Sequence, residues 1–228
     1  MGYILLAGGA EFSRRMAEPD EKAIALAGGP DAPIRIIPTA AAPDNNHVRA
    51  GNNGVHWFKN LGSRNVKSLA LVDKASAAND EIVQSLRDAK LIYILGGFPV
   101  YLGKTLQGSP AWDAVLDAYQ RGAVIGGSSA GAMVLCQFYY DPDSGEILEG
   151  LGLVRNTLVL PHHDTSGKRW VSRLLPAPPG VTLLGIDERT GLLDDGYGEN
   201  WSVLGQGAAT LYQGSAIRVY RSGESFHI

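Results

Sequence analysis

The residues with the most pointed chemistry stand in the run Gly127-Ser128-Ser129-Ala130-Gly131, within "AVIGGSSAGAMVLCQ" at 123–137. Only one register of this run reads Gly-x-Ser-x-Gly, and it puts Ser129 at the centre. The pattern alone also occurs in turns that merely pack a helix on a sheet. The flanks separate the two cases. An apolar strand-like segment, 123–125, enters the turn, and a helix-forming segment, 131–137, leaves it. Strand, tight turn and helix, with small residues crowding the bend, are what a nucleophile elbow requires. The serine oxygen then stands above the carboxyl edge of a sheet at a helix N-terminus. There the helix dipole and the N–H of Ala130 can stabilise an oxyanion.

A serine nucleophile needs a base, and the chain has five histidines. His47 and His56 fall in a glycine-containing helical stretch and His227 is the penultimate residue, so all three read as surface histidines. His162 and His163 follow the strand "TLVLP" and precede the polar turn "DTSGK", a strand-end loop of the kind that carries catalytic groups. Adjacent residues on an extended chain point to opposite sides, which argues against the pair and Asp164 gathering on a metal ion. The acid that orients the base is sought between serine and histidine, where "YYDPDSGEILEG" offers Asp141, Asp143, Glu146 and Glu149. Asp141 is the choice, because it follows an aromatic segment and precedes Pro142, which favours extended backbone. Asp143 and Glu146 read as turn residues, and a solvated acidic hairpin accounts for any of them equally well. A second oxyanion donor is expected from the glycine loop in "YILGGFPVYLGK", at the N–H of Gly97.

These groups need a scaffold. Near-continuous apolar runs at 3–9, 34–40, 68–73, 90–97 and 123–129 predict strands buried on both faces. Helical patterns lie between them. One spans 79–90 with Asn79 as cap, one spans 109–122 opening on Ser109-Pro110, and a weaker one spans 47–62 with internal glycines. The alternation predicts an α/β fold, a mostly parallel sheet with helices on both faces. The last third reads as sheet extension and β-hairpins. With 228 residues, 45% of them hydrophobic, and no linker-like stretch, the expectation is a single domain over 1–228. A net charge of −3 without a Lys/Arg run argues against nucleic acid or a membrane surface as partner. The single cysteine, Cys136, forbids an internal disulfide and reads as a buried thiol inside the helix after the elbow. With no signal segment or long apolar run, a soluble cytoplasmic protein is expected.

Several segments match a known group in order and spacing: "LLAGG" at 5–9, "IIPTAA" at 36–41, "YILGG" at 93–97, "GSSAGA" at 127–132, "GLGLV" at 150–154, "LPHHD" at 160–164 and "GIDERTGLL" at 185–193. The chain thereby resembles the serine peptidases that include peptidase E, an aspartyl dipeptidase, and cyanophycinase. Their fold is similar to that of class I glutamine amidotransferases, which is flavodoxin-like. The resemblance implies that Ser129 is the nucleophile and His163 the base. It places oxyanion donors at Gly97 and Ala130, and leaves the acid as Asp or Glu on a loop of variable length. It also places Arg169 and Arg173 roughly where relatives contact substrate, and a guanidinium pair suits a carboxylate. Exposed helix arginines are the competing account.

The sequence departs from that group at Phe98-Pro99, where relatives carry Asn followed by Gln or Thr. It departs again at His162 and Asp164, which flank His163 where cyanophycinases have Gln and relatives have Phe. Phe98 is accordingly expected to make the substrate pocket more apolar. The implied activity is hydrolysis of short or terminal peptide bonds through an acyl-enzyme, on a small peptide substrate and without metal or cofactor. Members of the group often form homodimers. An amidotransferase is disfavoured because it places cysteine where Ser129 stands. An esterase on the same fold, or a silent binding protein that keeps the elbow for packing, are the rival readings.

Overall fold

The computed structural model describes residues 1–174 and 180–228. Five parallel strands form its spine: β1 (Tyr3–Ala7), β2 (Ile34–Ile37), β3 (Val66–Ser68), β4 (Leu91–Ile94) and β5 (Val124–Ser128). They stand in the order β1-β5-β4-β2-β3; β1, β2, β4 and β5 are almost wholly buried, and β3, at the sheet's edge, buries Val66 alone. Six helices alternate with them or follow: α1 (Ala17–Leu26), α2 (His47–Asn60), α3 (Asp80–Arg87), α4 (Pro99–Leu106), α5 (Pro110–Gln120) and α6 (Ala130–Leu135). The caps are those the sequence announces. Asn79 Oδ1 accepts from the N–H groups of Glu81 and Ile82 at 3.0 and 3.1 Å, and Ser109 Oγ accepts from Trp112 N–H at 3.1 Å. The glycines that seemed to weaken 47–62 instead seat α2 on the sheet. A Cβ on Gly51 would lie 2.1 Å from Ser68 Oγ.

Three expectations are corrected. The strand expected at 68–73 lies earlier, at Val66–Ser68, and Leu69 and Leu71 enter the core beyond its end, without a strand. The helices α1 and α4 were not foreseen; in α4, Phe98-Pro99 is a helix start, with proline at its first turn. The helix after the elbow stops at Leu135, and Cys136 opens a strand. The sequence "CQFYY" favours that, being rich in aromatic residues. Its thiol is fully buried all the same, and burial pushes its pKa well up.

The remaining chain is more than hairpins. After β6 (Cys136–Tyr140), β7 (Ile147–Glu149) and β8 (Val154–Leu160) come the four-residue helix α7 (Val171–Leu174) and β9 (Thr182–Ile186). Then follow β10 (Thr190–Asp194), β11 (Asn200–Gly205), β12 (Ala208–Gln213), β13 (Ala216–Arg221) and β14 (Ser225–His227). Strands β10, β11 and β14 extend the first sheet antiparallel beyond β1 to make it eight-stranded. The others form a second, six-stranded sheet in the order β13-β12-β9-β8-β6-β7, with β6, β8 and β9 parallel. One apolar core joins the sheets, drawing Leu6, Ile125 and Leu192 from the first and Val159, Leu184 and Leu211 from the second. No described helix is long and apolar enough to cross a membrane.

This topology brings four strand ends together. β1 runs beside β5 with Ala7 opposite Ser128, and β8 runs beside β9 with Leu160 opposite Gly185. The chain after each strand therefore emerges at one place. The amide of His162 donates to Gly8 O at 2.8 Å, stitching the two sheets there, and that of Gly8 donates to Thr190 O at 3.0 Å within the first sheet.

Candidate active site

The elbow has the geometry its sequence implies. Ser129 holds φ 51° and ψ −115° between β5 and α6, a conformation costly for any L-residue. Its N–H donates to Ala7 O at 3.0 Å, which ties the bend to β1. The bend needs its small residues: a Cβ on Gly127 would lie 2.6 Å from the Gly131 carbonyl carbon, and one on Gly131 would lie 2.2 Å from Ile94 O. Among the described residues, the N–H groups of Gly97 and Ala130 have no hydrogen-bond acceptor, as befits donors at a loop and at a helix start.

The imidazole beside Ser129 is that of His162. Its Nε2 lies 2.9 Å from Ser129 Oγ, and its Nδ1 lies 3.0 Å from Glu188 Oε1. Both side chains of this pair are about one-third exposed. The imidazole lies across Gly9, where a Cβ would stand 2.2 Å from His162 Cε1, so only glycine leaves it room. The carbonyl of His162 accepts from the N–H groups of Thr165 and Gly167 at 3.0 and 2.8 Å, which fixes the loop.

His163, the base expected from the sequence, is not brought to Ser129. It turns to the other side of the chain and is buried, with Nδ1 3.3 Å from Asp187 Oδ1 and Nε2 2.8 Å from the Tyr212 hydroxyl. Burial and the Asp187 charge raise the Tyr212 pKa, so this hydroxyl keeps its proton and can donate it. Two consecutive residues, 162 and 163, thus pair with two consecutive residues, 188 and 187. One couple faces the serine and the other faces the second sheet. The reason is a bend in the backbone: His162 lies past the end of β8 in the left-handed region, at φ 51°, and the chain turns there.

The other expected residues are placed as follows. Asp141 stands at the start of the β6–β7 turn and is spent on it. It accepts from Ser144 Oγ at 2.7 Å and from Asp143 N–H at 3.0 Å. Burial pushes its carboxyl up, but these bonds outweigh that and hold it below the usual aspartate range. Asp143 and Glu146 belong to the same turn. Arg169 is exposed, its guanidinium stacked over Trp170 at 5.5 Å, and Arg173 is exposed on α7. Neither hydrogen-bonds to the groups around Ser129.

Phe98 does reach the site. With Glu11, Asp44, Arg49 and Gly97 it lines a cavity of about 420 Å³. Asn46 and Asn53 also line it, so its wall mixes polar and apolar groups. Glu11 was missed by sequence reasoning. Its Oε2 accepts from Ser128 Oγ at 2.9 Å, and Ser128 is fully buried behind the nucleophile.

The family model of peptidase family S51 matches residues 4–198. The chain belongs to peptidase family S51. It is a serine-type peptidase. The peptidase is 28% identical over 236 residues to the cyanophycinase of Geminocystis herdmanii (strain PCC 6308), covering 97% of this chain and 84% of that one. It is 27% identical over 221 residues to that of Synechococcus elongatus, covering 92% and 67%. Among solved structures it is similar to a peptidase from an acI-B1 Actinobacterium, with TM-score 0.90 and 30% identity over 100% of this chain and 97% of that one. It shares its fold with a putative peptidase E protein from Listeria monocytogenes EGD-e, with TM-score 0.60 and 17% identity over 97% and 98%.

Proposed function

We propose that the peptidase hydrolyses short or terminal peptide bonds through a triad of Ser129, His162 and Glu188. The observation that carries this is the unbroken chain from Ser129 Oγ to His162 Nε2 at 2.9 Å and from His162 Nδ1 to Glu188 Oε1 at 3.0 Å. Ser129 Oγ–H donates to Nε2, and Nδ1–H donates to the Glu188 carboxylate, which sets the tautomer that leaves Nε2 basic. His162 takes the serine proton as Oγ attacks the carbonyl. Glu188 stabilises the imidazolium that results, and the N–H groups of Gly97 and Ala130 receive the oxyanion. His162 then passes the proton to the leaving amine. Water, activated by the same imidazole, releases the acyl group from Ser129. The family of cyanophycinase and peptidase E relatives supports small or terminal peptides as substrates.

The test is hydrolysis of a mixed di- and tripeptide library, read by mass spectrometry, for the wild type beside Ser129→Ala. Cleavage by the wild type alone is the expected result. Equal cleavage by both proteins refutes Ser129 as nucleophile. Cleavage of esters and of no peptide makes the protein an esterase.

A further inference from the structure

A carboxylate beside a serine nucleophile is a liability, because it opposes the negative charge that the carbonyl oxygen gains in the transition state. Glu11 is such a carboxylate. One of its oxygens is held by Ser128 Oγ. The other, Oε1, faces the wall it shares with the nucleophile: the point where a Gly96 Cβ would stand is 3.3 Å from Glu11 Oε1 and 3.1 Å from Ser129 Cβ. None of the ion pairs among the described residues involves Glu11. The loop that carries it is held in an unusual shape, with Ala10 at φ 54° and Phe12 at φ 61° on either side. Phe12 is anchored against Trp57, Phe58 and Tyr93, with ring centroids 6.4, 6.4 and 6.0 Å away. Strain of this kind persists where the surroundings impose it, and it clusters at ligand clamps.

We propose that Glu11 is a specificity-determining residue, whose carboxylate receives a cationic nitrogen on the acyl part of the substrate. The inference rests on the Ser129–His162 reading. His162 must hand its proton to the leaving amine; the cavity is lined by none of Ser129, His162 and Glu188, and it borders the serine through Gly96 and the oxyanion donor Gly97. The cavity therefore holds the acyl part. Its charged groups are Glu11, Asp44 and Arg49, and Arg49 Nε donates to Asn46 Oδ1 at 2.8 Å on the exposed rim. A substrate cation set against Glu11 neutralises the charge that would otherwise oppose the oxyanion. A neutral substrate leaves it unpaired, so one residue both attracts the right substrate and penalises the wrong one. The nitrogen is either the α-ammonium of an N-terminal residue or a basic side chain.

Three diphenyl phosphonate probes separate these sources: an alanine analogue with a free amine, its N-acetyl form, and an N-acetyl lysine analogue. In each, Ser129 Oγ bonds to phosphorus and phenoxide leaves. The expected result is labelling of Ser129 about tenfold faster or more by at least one cationic probe than by N-acetyl-alanine, as a hydrogen bond to a charged group allows. Glu11→Gln should bring that ratio to within about threefold, and 1 M NaCl should shrink it in the wild type. Should Glu11→Gln not fold, the wild-type ratio and its salt dependence decide alone. Equal labelling by the three probes, no labelling by any of them, or a ratio that survives Glu11→Gln overturns the inference. An uncharged alkyl fluorophosphonate distinguishes the deeper failure. If it labels Ser129, only the role of Glu11 is lost; if it does not, the nucleophile reading falls as well.

Discussion

At the scale of single residues, two neighbouring histidines carry opposite consequences. With His162 at 2.9 Å from Ser129 Oγ, His162→Ala should lower kcat by about 10⁴-fold or more, as loss of a triad base does. His163 touches Asp187 and Tyr212 instead. His163→Gln should leave Ser129 open to fluorophosphonate labelling and appear as lost stability, about 1–3 kcal/mol in urea unfolding, from buried partners left unmatched. The reverse pattern would mean that His163 is the base. The elbow at Ser129 was legible because a rare pattern coincided with a strand before it and a helix after it. The choice between His162 and His163 was not. The two side chains part at a left-handed bend, His162 at φ 51° beyond the end of β8, and no local pattern announces that bend. Glu188 escaped because the acid was sought between serine and histidine in the chain. It lies in the turn after β9, a strand whose place beside β8 no local pattern encodes. Glu11 carried no local signal at all: its meaning comes from Ser128, 117 positions away.

At the scale of elements, the site is a meeting of strand ends, and its tolerances are set by what the loops allow. The loop after β1 passes under the His162 ring at Gly9, whose φ is 138°. Gly9→Ala adds a Cβ where the imidazole lies. It should lower kcat by about 10²-fold or more, the loss expected from a misplaced catalytic group, with the far-ultraviolet circular dichroism unchanged. Unaltered kcat would show that the ring can rest elsewhere. The strands and caps of the first half could be read directly, since continuous apolar runs and residues such as Asn79 and Ser109 have local causes. The second sheet could not. Its strands alternate with turns much as isolated hairpins do, and the parallel pairing of β6, β8 and β9 depends on segments far apart in sequence.

At the scale of the molecule, the interior holds acids whose protons matter to stability. Burial pushes Asp20 from the ordinary 3.8 up to about 7; the Trp57 N–H bond opposes the shift, and Glu11 and Glu21 add to it. Burial likewise pushes Asp194 to about 6, against the pull of the Ile4 N–H. Both folded pKa values are raised, so the folded state binds these protons more tightly than the unfolded chain. Their contribution is complete below the unfolded pKa near 4 and is lost as pH rises through about 6 to 7. Asp20→Asn removes one of the two titrations. Its stability relative to wild type should climb by roughly 3 kcal/mol between pH 5 and pH 8, measured by denaturant unfolding at each pH. A constant difference would place the Asp20 proton elsewhere.

In the proposed triad the nucleophile belongs to the first sheet, whereas its base and acid follow strands of the second, 33 residues and then a further 26 along the chain. Synthesis runs from the N-terminus and folding can follow it. A nascent peptidase therefore carries a finished elbow for some time with nothing to deprotonate Ser129. On that reading its chemistry would switch on only when the second sheet docks, and the order of translation itself would keep a half-made enzyme from cutting.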